Sequence, residues 1–261
     1  MKRMIYQVYV GKPSRLYDHC TASVAMYCQE HNIDHVVQTT PILKIKPDVF
    51  ATNRSKESYE KHGGFLPIYE KENALDYFKD YDQICIVDAD IWIRPGSPNI
   101  FDELDPDVAF AGVLERDMPI EPWYQQKIIN YSKMQYAQLH NNKIDFKPNQ
   151  LGFEFYNMGL MLMNKSIINY MKAKTARDFI QRPDFKDFVD GLGGWKWSTD
   201  QTLLNYWLRK DGVPQKHLDW KWNALYTAVK NPKEANFVHF FLKDKLPNRG
   251  ENIEQLMEYV L

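Results

Sequence analysis

Short apolar runs alternate with helical spacings through the first 115 residues. Residues 5–10 (Ile-Tyr-Gln-Val-Tyr-Val) read as a first strand, Gly11-Lys12-Pro13-Ser14 as the turn after it, and 17–30 as a helix ending before His31 and Asn32. Residues 36–38 read as a short second strand and 69–77 as a helix, while Ile84-Cys85-Ile86-Val87 is a strand apolar at every position. Strands alternating with helices are the pattern of βαβ units and a mostly parallel sheet. A strand apolar on both faces belongs in the middle of such a sheet, covered on both sides. Ligands of open α/β sheets bind beyond the carboxyl ends of these strands, so chemistry is expected directly after Val87.

Residues 116–150 break the alternation and are rich in Tyr, Gln, Asn and Lys, which predicts a helical or irregular insertion. The apolar pattern returns with a strand over 158–163 and a helix over 167–172. A further helix follows Ser198 and Thr199, either of which can cap it. Its apolar positions are Leu203, Leu204, Trp207 and Leu208, and their spacing turns Asp200 inward. No repeat or linker divides the chain, so 1–261 is expected to form one α/β domain.

Val87 is followed by Asp88-Ala89-Asp90. Two carboxylates two positions apart on extended backbone point the same way. Held together they repel, so that one protonates or both bind a cation. Carboxylate oxygens suit a hard divalent ion such as Mg²⁺ or Mn²⁺, which can bridge a diphosphate. A solvated acidic turn closing a strand is the alternative reading.

Composition narrows the choices. Thirty-three basic residues against thirty-four acidic ones give no electrostatic reason to expect nucleic acid. The cysteines, Cys20, Cys28 and Cys85, are odd in number and lack C-x-x-C spacing, which argues against a disulfide framework or structural zinc site. The apolar stretch after Lys2 and Arg3 is too short and polar for a signal peptide, and no run of eighteen apolar residues predicts a membrane span. A soluble cytoplasmic protein is the expectation, in which the N-x-S triplets at Asn53, Asn130 and Asn164 carry no meaning.

Five short blocks stand in order between residues 5 and 245. They are the strand 5–10 with Tyr17; Lys71, seventeen positions before Asp88; Phe155-Tyr156-Asn157-Met158-Gly159; Asp200-Gln201 with Leu204-Asn205; and Trp222-Asn223, followed by His239 with Lys245 six positions later. Together with Asp88-Ala89-Asp90 they resemble the glycosyltransferases of the GT-A fold, most closely family 8, the group of glycogenin and bacterial lipopolysaccharide sugar transferases. That resemblance implies a Rossmann-like α/β fold with residues 1–115 as nucleotide-binding half and 116–261 as acceptor half. It implies a metal-dependent hexosyltransferase using a nucleotide-sugar, a UDP-sugar in most of the family, with retention of configuration. The acceptor would be a glycan, glycolipid or glycoprotein.

Carried over residue by residue, the resemblance makes Asp88, Asp90 and His239 ligands of Mn²⁺ (or Mg²⁺). Val10, Tyr17, Lys71, Ala89, Asn157 and Lys245 would contact the nucleotide-sugar, and Asp200 and Gln201 would lie beneath the sugar as the catalytic pair. Trp222-Asn223 is taken as structural. The chain departs from the family pattern in having Lys71 for Arg, Leu242 for Gly, and Leu246-Pro247 for the Pro-Trp after the lysine. Trp195 and Trp197 are candidates to stack on an acceptor sugar. Other readings are an inverting GT-A enzyme with another nucleotide-sugar, or a nucleotide-sugar or glycan binder without catalysis. A haloacid dehalogenase-type phosphatase fits poorly, because Trp92 stands where that motif has Thr or Val.

Overall fold

The computed structural model describes residues 1–48, 53–197 and 200–261. The first half comprises β1 (Arg3–Val8), α1 (Arg15–His31), β2 (Asp34–Gln38), α2 (Asn53–His62), a 3₁₀ stretch Pro67–Lys79, β3 (Gln83–Val87), β4 (Ile91–Ile93) and β5 (Phe110–Leu114). The second half contains α3 (Pro122–Asn141), β6 (Tyr156–Asn164), α4 (Ile168–Met171), α5 (Ala176–Ile180), α6 (Lys186–Asp190) and α7 (Asp200–Lys210). It closes with β7 (Gln215–His217), β8 (Ala224–Leu225), β9 (Phe237–His239) and α8 (Ile253–Glu258).

The main sheet has the order β2-β1-β3-β6-β5-β7. Strand β1 pairs parallel with β2 and β3, β5 pairs parallel with β7, and β6 runs antiparallel between β3 and β5. Five strands therefore point one way and β6 alone is reversed, so the sheet is the mostly parallel one expected. Every residue of β3 is buried, as its unbroken apolar run requires of a central strand. Burying an Ile or Val of this strand contributes about 1.5–3 kcal/mol per side chain. Helix α1 covers one face, burying Leu16, Cys20, Val24, Tyr27 and Cys28 at helical spacing.

The structure refines the pattern at three places. The first strand ends at Val8, so Val10 sits in the loop beyond it. The helix read over 69–77 is present and is 3₁₀ in form, over Pro67–Lys79. In that geometry residues i and i+3 eclipse, and here Tyr69, Glu72, Leu75 and Phe78 form one buried row at that spacing. Ile91-Trp92-Ile93, unassigned from the pattern, is a strand in a second sheet of order β4-β9-β8. The insertion 116–150 is helical over α3, as expected.

All three cysteines are free and buried. Among the described residues no helix is long and apolar enough to cross a membrane. The caps assigned to Ser198 and Thr199, and the side chain of Trp197, lie outside what is described.

Candidate active site

Strand β3 delivers its carboxyl end at Val87, and the amide of Asp88 continues the ladder by donating to the Gly159 carbonyl of β6 at 2.8 Å. The backbone then turns. Ile91 N–H donates to the Asp88 carbonyl at 3.1 Å, closing a β-turn over residues 88–91. The two carboxylates therefore converge because of a turn, not because of the strand alternation read from the sequence. Strand β4 leaves that turn and pairs antiparallel with β9, setting Ile91 opposite His239. Phe240 N–H donates to the Asp90 carbonyl at 2.9 Å and locks the approach.

The result is a three-residue cluster. His239 Nε2 lies 3.3 Å from Asp90 Oδ1 and 3.8 Å from Asp88 Oδ2. One ligand atom from each of Asp88, Asp90 and His239 lies within 4.8 Å of the others. Two carboxylates and one imidazole at such spacing fit one small divalent cation. Burial works against protonated His239, but Asp90 and then Asp88 outweigh it and raise its pKa. A cation is thus electrostatically favoured here, whether a proton or a metal.

The opposite side of Asp88 is differently engaged. Lys71 Nζ lies 3.0 Å from Asp88 Oδ1, 2.8 Å from Asp200 Oδ2 and 2.7 Å from the Met158 carbonyl. The contacts to Asp88 and the Met158 carbonyl are hydrogen bonds donated by the ammonium, and that to Asp200 is an ion pair. Burial opposes the charge on Lys71, yet Asp200 and Asp88 raise its pKa overall. Asp200, at the start of α7, is buried as its helical phase implied. Its neighbour Gln201 accepts from Met158 N–H at 3.1 Å, tying α7 to β6.

Asn157 and Gly159 line this site from β6. Asn157 Oδ1 accepts from Gly159 N–H at 3.0 Å, and its Nδ2 donates to Glu115 Oε2 at 2.9 Å. The glycine is needed for space: a Cβ at Gly159 would stand 2.3 Å from His239 Cε1. That room is occupied by the imidazole of His239.

Every predicted site residue except Lys245 lines one cavity of about 350 Å³, open at the carboxyl end of β3. Val10, Tyr17 and Ala89 form part of its walls, with Val8, Pro67 and Ile68 beside them. Lys245 is exposed on the 3₁₀ turn Lys243–Lys245. The lysine that this turn holds against the cavity wall is Lys243, whose Nζ stands 3.6 Å from the centroid of the Tyr17 ring. Leu242, where the family pattern has Gly, adopts the left-handed conformation at φ 58° and ψ 58°. Trp195 is packed inward, its ring 4.6 Å from Phe188 and its Nε1 donating to the Gln135 carbonyl at 3.1 Å.

Sequence reasoning missed two buried acids beside this cavity. Glu115 accepts from Asn157 and, at 3.0 Å, from the Tyr124 hydroxyl. Glu72 is buried, and among the described residues neither of its carboxylate oxygens has a hydrogen-bond partner. Burial, then Asp200, raise its pKa well above the ordinary value, against the pull of Lys71. The only signal for Glu72 was its position next to Lys71, and for Glu115 its place at the end of β5.

No protein-family model matches the chain, and no curated protein matches it in sequence. Solved structures do. A glycosyltransferase involved in the glycosylation of the major capsid of PBCV-1 superposes with a TM-score of 0.56 at 13% identity, over 98% of this chain and 100% of that one. An active-site mutant of LgtC superposes with a TM-score of 0.52 at 11% identity, over 98% of this chain and 95% of that one. The fold is therefore that of GT-A glycosyltransferase structures.

Proposed function

We propose that this chain is a metal-dependent glycosyltransferase of the family 8 kind, moving a hexose from a UDP-sugar to a glycan, glycolipid or glycoprotein acceptor. The observation that carries the proposal is the convergence of Asp88, Asp90 and His239 at the carboxyl end of β3, inside a GT-A fold. These three residues would hold Mn²⁺ or Mg²⁺, which supplies positive charge to a departing diphosphate when bound.

The remaining roles fall to this chain's own side chains. Val10, Tyr17 and Ala89 form the wall for base and ribose. Lys245, with Lys243 beside Tyr17, brings positive charge from the loop toward the diphosphate. Lys71 holds Asp200 by an ion pair, which orients the Asp200 carboxylate in a partly water-excluded site. Negative charge in that position stabilises a sugar ring that becomes oxocarbenium-like, and Gln201 is fixed beside it through Met158. Asn157 has one amide hydrogen not used by Glu115, available to a sugar hydroxyl. Acceptor attack on the face of the departing diphosphate gives retention.

UDP release from a panel of UDP-sugars with Mn²⁺ tests this, comparing wild type with Asp88→Ala and Asp90→Ala. The expected result is turnover of one donor, abolished by chelator and reduced at least about 100-fold in either variant. Failure of the wild type to bind any UDP-sugar would overturn the donor assignment. Anomeric analysis of the product tests retention, and an inverted linkage would recast Asp200 as a general base.

A further inference from the structure

We infer that Asn223, taken from the sequence as structural, is a positioning residue that fixes the ring tautomer of His239 through a hydrogen-bond relay ending at Glu115. The inference rests on the reading of His239 as a metal ligand. The argument starts from a donor of unambiguous sign, the backbone N–H of Gly159. It lies 3.0 Å from Asn157 Oδ1, so that atom of the amide is the oxygen. The Asn223 atom 2.9 Å from the same oxygen must therefore be a donor, its Nδ2. The other end of the Asn223 amide is then Oδ1, and it stands 3.1 Å from His239 Nδ1. An oxygen there requires a hydrogen on Nδ1.

In the neutral ring the lone pair is consequently left on Nε2, the nitrogen that faces Asp90 at 3.3 Å and Asp88 at 3.8 Å. A ligating histidine needs that state, and its second nitrogen is usually held by such a partner. The relay is anchored at its far end. Asn157 Nδ2 donates to Glu115 Oε2 at 2.9 Å, and the Tyr124 hydroxyl occupies Glu115 Oε1 at 3.0 Å. Asn223, Asn157 and Glu115 are all buried, which removes water as a competing partner. The opposite orientation of Asn223 would set two amide oxygens against each other in a buried place, an arrangement that forfeits two hydrogen bonds.

The test reads the ring nitrogens directly. Protein labelled with ¹⁵N-histidine is brought to a pH above which the His239 ring shifts no longer change, and two-bond ¹H–¹⁵N correlations report which nitrogen carries hydrogen. Wild type is expected to carry it on Nδ1. Asn223→Leu keeps the volume but offers no acceptor, and should move the hydrogen to Nε2 and weaken Mn²⁺ binding about 10–100-fold. Asn223→Asp keeps an acceptor for Nδ1–H and should retain the wild-type tautomer and more of the affinity than the Leu variant. A purely packing role predicts the reverse order, since a buried carboxylate fits worse than leucine.

Hydrogen on Nε2 in the wild type would overturn the inference, as would an unchanged tautomer in Asn223→Leu. Should the Leu variant fail to fold, the wild-type spectrum and the Asp variant still decide it. The expected tautomer in a protein that binds no Mn²⁺ would uphold the relay and sink the metal reading instead.

Discussion

Asp88 stands between two cationic partners, and the two sides of the site are built on different terms. On one side Lys71 is nearly buried, donating to Asp88 and the Met158 carbonyl and ion-paired with Asp200, each at 3.0 Å or less. On the other side His239 reaches Asp90 and Asp88 only at 3.3 and 3.8 Å. Its orientation comes from behind, through Asn223 and the space left by Gly159. The first side is a closed ion-pair network, whose loss leaves buried charge uncompensated. The second is an open set of ligands held in place by neighbours, suited to accept a cation from outside. Stability should therefore concentrate on the lysine side and ligand affinity on the histidine side.

The strongest test of that division is Lys71→Met. Removing the cation leaves Asp200 buried beside Asp88, and a loss of about 3–5 kcal/mol is expected in denaturant unfolding. A loss below about 1 kcal/mol would mean the network is solvated like a surface pair. Gly159→Ala strikes the other side. Its Cβ would meet His239 Cε1 at 2.3 Å and Nδ1 at 2.6 Å, so the imidazole must move. Mn²⁺ affinity measured by titration should fall about 10–100-fold, with a stability loss of only about 1–3 kcal/mol.

Glu72 sharpens the lysine side further. Its folded pKa is raised, so the native carboxyl keeps a proton that the unfolded chain releases, and native stability declines as pH rises above about 4.5. The penalty is absent below that value and levels off once pH passes the folded pKa. Asp200 and Asp88 push in this direction and Lys71 opposes them. Glu72→Met, set among Leu75, Ile86, Met161 and Leu204, should gain about 1–3 kcal/mol near neutral pH. Melting curves at several pH values should show that gain shrinking in acid; an equal gain throughout would mean that the Glu72 pKa does not shift on folding, and a gain growing in acid that it is paired. The smallest effect is expected at Leu242→Gly in the loop after His239. The left-handed backbone costs a non-glycine residue about 1–2 kcal/mol, and the greater freedom of unfolded glycine offsets part of it. A net stabilisation of up to about 1 kcal/mol should appear in thermal unfolding.

Much of the first half was legible in the chain because its signals are local. An unbroken apolar run marks β3 as a central strand, the alternation marks the parallel sheet, and the acid pair at the strand's end marks the ligand edge. The elements misread were those whose form depends on partners. Ile91-Trp92-Ile93 is too short to announce itself as a strand and becomes one by pairing with β9. The 3₁₀ stretch has the composition of a helix, and its tighter winding aligns a row of side chains that the surrounding core buries.

For the site, residue type and spacing marked Asp88, Asp90 and Asp200, because carboxylates after a buried strand and an inward-facing acid on a helix carry their chemistry in one dimension, whereas Asn157 and His239 were marked by the family resemblance alone. Only the tertiary structure decided what each of them faces. The pairing of β4 with β9 brings His239 to the acids, and the packing of α7 on β6 brings Asp200 to Lys71. Glu115, Asn223 and Glu72 acquire their meaning the same way, since a hydrogen bond or a buried charge depends on which atoms lie within about 3 Å, and local pattern specifies periodicity along the chain but not distance across it.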